Sequence, residues 1–193
     1  MRPLPHTGAL QGVVVSRDAE GLRAGALALG ASDAAVLAPH QVVTAEWVRM
    51  KCLYGGCHVG RCLTCPPHSP TPAQSRAFLD EYETILLLRF DVRPERVEWL
   101  RASRRVADAA LGLERELFLA GHIKAFAIAG GRPCDLEEPC ARPEDCDRRA
   151  SLRPGPAGCG IDVFSTSRNA GWPLAVVHGP GDPYHLFALV LVE

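Results

Sequence analysis

The sequence has no excess of charge of either sign: 21 lysines and arginines stand against 22 aspartates and glutamates, for a formal net charge of −1. That balance excludes bulk electrostatics as a means of gripping nucleic acid or an acidic membrane surface. Long apolar runs are missing too. The longest, Leu186 to Val192, is far too short to span a bilayer, and the opening MRPLPHTGALQG lacks the apolar segment of a secretory signal. The expectation is a cytoplasmic chain with no nucleic-acid or membrane partner. No G-x-G-x-x-G, phosphate-binding loop or H-E-x-x-H pattern occurs, and there is no internal repeat or low-complexity tail. Ser165, Thr166 and Ser167 have no nucleophile-elbow context and read as helix residues.

What the sequence does have is cysteine, and in an uneven distribution. All eight lie in two blocks, Cys52 to Cys65 and Cys134 to Cys159. A chain of 193 residues can bury a core without covalent staples, and a reducing cytosol disfavours disulfides. The thiols therefore point to metal ligation or redox chemistry.

The rest of the chain reads as a single domain, 1–193, of α/β or α+β class: one sheet with packed helices, with cysteine-rich loops at 52–70 and 131–160. Apolar spacing over 18–30 predicts a helix ending at Gly30, followed by a strand at 34–38. Thr71-Pro72-Ala73-Gln74 joins a hydroxyl cap, a proline at the first helical position and a glutamine three residues on, opening a helix to about Tyr82. Thr84 to Phe90 reads as a buried strand. From Pro94 a long helix places Val106, Ala110, Leu113 and Leu117 on one face until Gly121. Ile123–Ala129 and His185–Val192 read as central strands covered on both faces. Ferredoxin-like connectivity is one arrangement open to these elements.

In the first block the intervals are Cys52-x4-Cys57-x4-Cys62-x2-Cys65, with Pro66 next. The last three cysteines have the C-x4-C-x2-C spacing of plant-type iron–sulfur clusters, and a proline after the final cysteine is a feature of bacterial ferredoxin runs. Gly55, Gly56 and Gly60 allow the backbone to turn tightly about an inorganic core. Four thiolates suit zinc as well, with His58 and His68 as possible substitutes. A thioredoxin-type reading of Cys62-Leu63-Thr64-Cys65 lacks the preceding apolar strand.

The second block spaces Cys134, Cys140, Cys146 and Cys159 by five, five and twelve residues, which fits no common template. Residues 131–160 have no apolar period, so something other than hydrophobic burial orders them. Cys159 lies just ahead of an expected helix, VFSTSRNAG, whose N-terminus would favour a thiolate, with Asp162 as its cap. Arg132, Arg142, Arg148, Arg149 and Arg153 are candidate counter-charges to a thiolate-bound cluster. Lys124 reads either as a buried cation facing a site or as a residue at a strand edge.

The ordered pieces WVRMKC (47–52), Cys57, CPPHSPTP (65–72), GHIKAFAIAGGRPC (121–134) and CGIDVFSTSRNAG (159–171) resemble the predicted metal-binding proteins of domain-of-unknown-function family 2284. The resemblance implies a cysteine-bound metal and no particular reaction. It supports Cys52, Cys57, Cys65, Cys134, Cys140, Cys146 and Cys159 as ligands, while Cys62 rests on spacing alone. Where relatives tend to carry C-x2-C-x2-C after Cys134, this chain has Glu137, an oxygen donor in a thiol's place. The expected cofactor is one or two iron–sulfur clusters of 4Fe-4S type, with zinc as the alternative. The expected role is electron transfer, with a redox partner protein, or a cluster-dependent reaction on a small molecule. A zinc-stabilised structural module is the alternative.

Overall fold

A computed structural model describes residues 18–55, 60, 62–92, 96–130, 146, 148–179 and 181–193. The elements run α1 (Ala19–Ala28), β1 (Asp33–Leu37), α2 (Glu46–Tyr54), α3 (Pro72–Leu79), β2 (Ile85–Val92), α4 (Arg96–Leu119), β3 (Phe126–Ile128), α5 (Val163–Asn169) and β4 (Tyr184–Leu191). The four strands form one antiparallel sheet in the order β1-β2-β4-β3, making a mixed α+β fold.

The helix ends have the causes read from the sequence. Asp18 caps α1 by accepting from Gly21 N–H at 2.8 Å, and Gly30 closes it at φ +100°. Thr71 and Gln74 form a reciprocal capping box at α3. Gly121, at φ +102°, ends α4, and His122 N–H returns to the Leu117 carbonyl.

The expected strand at 123–129 is corrected to the three residues of β3, at the edge of the sheet rather than its centre. The chain ahead of it is a turn: Ala125 N–H bonds the His122 carbonyl, and Ile123 is 79% exposed. Lys124 is exposed in that turn, its Nζ donating to the Glu81 carbonyl at 2.9 Å above the Tyr82 ring. It is neither buried nor on a strand. Helix α2 was not expected, because its apolar residues Trp47, Met50 and Tyr54 face outward.

The element order is not β-α-β-β-α-β. If the ends were joined and the chain begun at β2, however, the order with α5, α2 and α3 set aside would run β2-α4-β3-β4-α1-β1, so the neighbour relations of the strands are those of a ferredoxin-like sheet. The central strands β2 and β4 pair over Ile85↔Leu191 to Val92↔Tyr184 and are covered on both faces. On one face, α1 and α4 bury Leu22, Ala26, Val106, Ala110, Leu113 and Leu117 against Leu86, Leu88, Ala188 and Val190. On the other, Leu37, Ile85, Leu87, Leu189 and Leu191 meet Val42, Leu79, Cys159 and Ile161. The second face carries Cys159.

Candidate metal centre

The segments on the second face are tied by backbone hydrogen bonds between distant residues. Ala45 N–H donates to the Gly160 carbonyl at 2.7 Å and Asp162 N–H to that of Val43 at 2.8 Å, flanking a Thr44↔Ile161 bridge. Gly155 N–H donates to the Thr64 carbonyl at 3.1 Å, and Gly130 N–H to that of Pro154 at 3.1 Å. Gly160 takes φ +73°, and a Cβ on it would come within 2.4 Å of Pro72 Cγ. The CPPHSPTP and CGIDV pieces therefore meet backbone to ring at a place only glycine can occupy.

Around this seam stand four thiols. Cys52 lies half-buried on the inward side of α2, one turn after Arg49. Cys62 and Cys65 belong to a tight turn in which Cys65 N–H bonds the Cys62 carbonyl at 3.1 Å and Ser69 N–H that of Cys65 at 3.1 Å. The Thr64 hydroxyl stands between their sulfurs, 3.1 Å from Cys62 Sγ and 3.7 Å from Cys65 Sγ. Cys159 is 1% exposed, packed under the sheet. Cys52 acts electrostatically on both Cys65 and Cys159, raising the pKa of each as the smallest of the causes at work there.

Their chemistry reflects that crowding. A hydrogen bond with Cys62 pushes the Cys65 thiol far above its ordinary range, with burial and the charges of Cys62 and Cys52 adding to it against an opposing bond from Thr64. Burial pushes Cys159 up to about 11, and Cys52 adds to this, while the Ser75 hydroxyl and the Arg49 guanidinium act in the opposite direction. The expectation that a helix N-terminus would favour the Cys159 thiolate is corrected. α5 begins at Val163 with Asp162 as its cap, as expected, but burial is the largest influence on Cys159 and opposes its ionisation. Neighbouring half-buried thiols such as Cys62 and Cys65 do not both ionise readily without a cation, and soft sulfur donors suit zinc or iron–sulfur centres. In donor type, though not in convergence among the described residues, the thiols fit such a metal. The Ser75 hydroxyl, buried and without a partner in hydrogen-bonding geometry, is a spare donor beside Cys159.

The remaining expected residues divide as follows. Cys146 is half-buried and His68 is exposed. Cys57, Cys134, Cys140, Glu137 and His58 lie outside the described residues, as do Arg132 and Arg142. Among the described residues, no three Cys, His, Asp or Glu side chains converge as a group able to hold a metal ion. Arg153 is corrected as a counter-charge: it forks onto Glu114, with Nε 2.8 Å from Oε2 and Nη2 on Oε1, and lies over the Phe126 ring. Arg149 is exposed. The arginine near the thiols is Arg49, which sequence reasoning passed over. Its signal was its place three residues before Cys52; Ser75 gave none.

Among the described residues no helix is long and apolar enough to cross a membrane. No curated protein and no solved structure matches the chain. The sequence model of the family described as "Predicted metal-binding protein (DUF2284)" matches residues 35–192, from within β1 to the end of β4 and across both cysteine blocks, and the chain belongs to that family.

Proposed function

We propose that the two cysteine blocks jointly hold one thiolate-bound metal centre, with Cys52, Cys65 and Cys159 among its ligands and Cys62 beside them. We further propose that the centre is an iron–sulfur cluster of 4Fe-4S type, used for electron transfer to a redox partner protein or for a reaction on a small molecule. The observation that carries this reading is that backbone hydrogen bonds tie the cysteine-bearing segments together: Gly155 N–H to the Thr64 carbonyl at 3.1 Å joins the Cys65 turn to the Cys159 loop, and Ala45 N–H to the Gly160 carbonyl at 2.7 Å joins that loop to the start of the helix bearing Cys52. Cys57, Cys134, Cys140 and Cys146 are the further candidate ligands.

When bound, such a cluster supplies one-electron redox chemistry at a potential set by burial and by hydrogen bonds to its sulfurs. The chain's own part is to exclude water around Cys159, to offer the Thr64 and Ser75 hydroxyls to thiolates, and to hold three segments in register. Anaerobic purification followed by iron, sulfide and zinc analysis tests the reading. It expects iron with acid-labile sulfide, lost in Cys52→Ser and in Cys159→Ser. Stoichiometric zinc without sulfide would replace it with a zinc-stabilised structural module.

A further inference from the structure

Arg49 lies on the inward side of α2 and is half-buried. Its Nη1 faces four acceptors: the Ser69 carbonyl at 3.2 Å, the Ser69 hydroxyl at 3.1 Å, the Pro70 carbonyl at 2.6 Å and the Gly158 carbonyl at 2.5 Å. Ser69 closes the triangle, its Oγ donating to the same Gly158 carbonyl at 2.9 Å. Ser69 and Pro70 follow Cys65, Gly158 directly precedes Cys159, and Arg49 shares its helix face with Cys52. One guanidinium thus joins the three segments that bear Cys52, Cys65 and Cys159.

Its charge is as informative as its bonds. Arg23, Arg76, Arg89 and Arg153 each pair with a carboxylate. Among the described residues no carboxylate lies within ion-pair distance of Arg49, whose oxygen partners are carbonyls and one hydroxyl. A half-buried cation without a counter-ion is costly, and among the described residues Arg49 acts on Cys159 in the direction that favours its thiolate. A guanidinium keeps its charge at every working pH and presents its donors in a rigid fork.

We propose that Arg49 is the positioning residue of the metal centre: it latches the segments bearing Cys52, Cys65 and Cys159 together, and its fixed charge balances the thiolate-bound core. The proposal rests on the preceding reading of the cysteines, and its test separates the two.

In metal-free protein, alkylation of Cys159 by iodoacetamide, followed by mass spectrometry, reads the latch alone. The expected result is a rate at least about tenfold higher in Arg49→Gln than in wild type, with Arg49→Lys in between. Arg23→Gln, a surface ion-pair variant, should match wild type. In protein purified with its metal, release to an excess of competing chelator should quicken by about tenfold in Arg49→Gln and less in Arg49→Lys. If the centre is iron–sulfur, its midpoint potential should fall in Arg49→Gln, where the charge is gone, and hold in Arg49→Lys; a purely structural role would not produce that split. Wild-type rates of both alkylation and release in Arg49→Gln would overturn the proposal. Should Arg49→Gln fail to fold by circular dichroism, Arg49→Lys decides, and unchanged rates there overturn it equally. A wild-type chain that binds no metal would overturn the preceding reading, while the alkylation rates still decide the latch.

Discussion

On the α1/α4 side of the sheet the chain is held by apolar periodicity: Leu113 and Leu117 of α4 and Leu22 of α1 meet Leu86, Leu88 and Val190 with almost no exposure. On the opposite side the covering elements are α3, of eight residues, α5, of seven, and loops. Of the eight buried polar side chains among the described residues, Thr64, Ser69, Ser75, Asp162, Thr166 and Ser167 belong to these segments. There the order comes from directed hydrogen bonds and from glycine contacts that tolerate no extra atom. Hydrophobic burial is roughly additive and forgiving of small shifts, whereas a buried polar network fails when one member is displaced. The metal centre proposed for the second side would draw on the precision of that network, and its binding energy would add to the ordering of the loops.

The largest expected effect separates the two sides by damaging the apolar one. Leu113→Ala removes a fully buried side chain and should cost about 2–5 kcal/mol in denaturant unfolding. Metal content per folded molecule should stay at the wild-type level. A parallel fall in metal content would show that the two sides act as one unit, and the contrast would be lost.

Gly160→Ala damages the other side. A Cβ there would sit 2.4 Å and 2.9 Å from Pro72 side-chain atoms and 3.1 Å from the Ala45 carbonyl, at φ +73°. Backbone strain and overpacking together should cost roughly 2–4 kcal/mol, and metal retention should fall with stability. Gly30→Ala is the matching control: at φ +100° with nothing within 4 Å, it should cost only the backbone part, about 1–2 kcal/mol, and leave the metal in place.

The α1/α4 side was legible in the sequence because its signals are local: 3.6-residue apolar spacing, Gly30 and Gly121 as stops, and the Thr71 box for the helix that follows. Helix α2 was not, since its exposed face carries Trp47, Met50 and Tyr54 while Arg49 and Cys52 turn inward, the reverse of an ordinary amphipathic helix. The apolar run at 123–129 misled for a related reason. Periodicity does not distinguish a strand from a turn anchored at its ends, and here Tyr82 Oη bonds the Lys124 carbonyl at 2.8 Å and holds the turn. The cysteine positions were visible, but the joining of the segments that bear Cys52 and Cys159 depends on bonds between residues more than 100 positions apart, such as Arg49 to Gly158. Strand order was hidden for the same reason.

A third effect follows from the crowded thiols and comes only from the cysteine side. In metal-free protein Cys159 has its pKa pushed up to about 11 from an ordinary 9.0, so between those values the folded chain holds a proton that the unfolded chain has released. Stability is then fully present below about pH 9 and declines as pH rises towards 11, by roughly 2–3 kcal/mol from this group. Denaturant unfolding across that range should show the loss, and Cys159→Ala should flatten it. Metal ligation reverses the demand, because each ligating thiol must give up its proton, so affinity should climb with pH over the same interval.

The smallest effect tests whether the cysteine side depends on any signal of the local kind that orders the other side. Thr71 Oγ1 accepts from Gln74 N–H at 3.2 Å, and Gln74 Oε1 accepts from Thr71 N–H at 2.9 Å. Thr71→Ala removes the first bond and should cost about 1 kcal/mol. Because α3 supplies both Pro72, which packs on Gly160, and Ser75, which faces Cys159, the loss should reach the site although Thr71 touches no thiol. Faster alkylation of Cys159 in metal-free Thr71→Ala, at unchanged rates for an Asp18→Ala variant of the α1 cap, would show that the cap of α3 holds the seam. Equal rates in the two variants would instead assign that task to Arg49 and the loop hydrogen bonds alone.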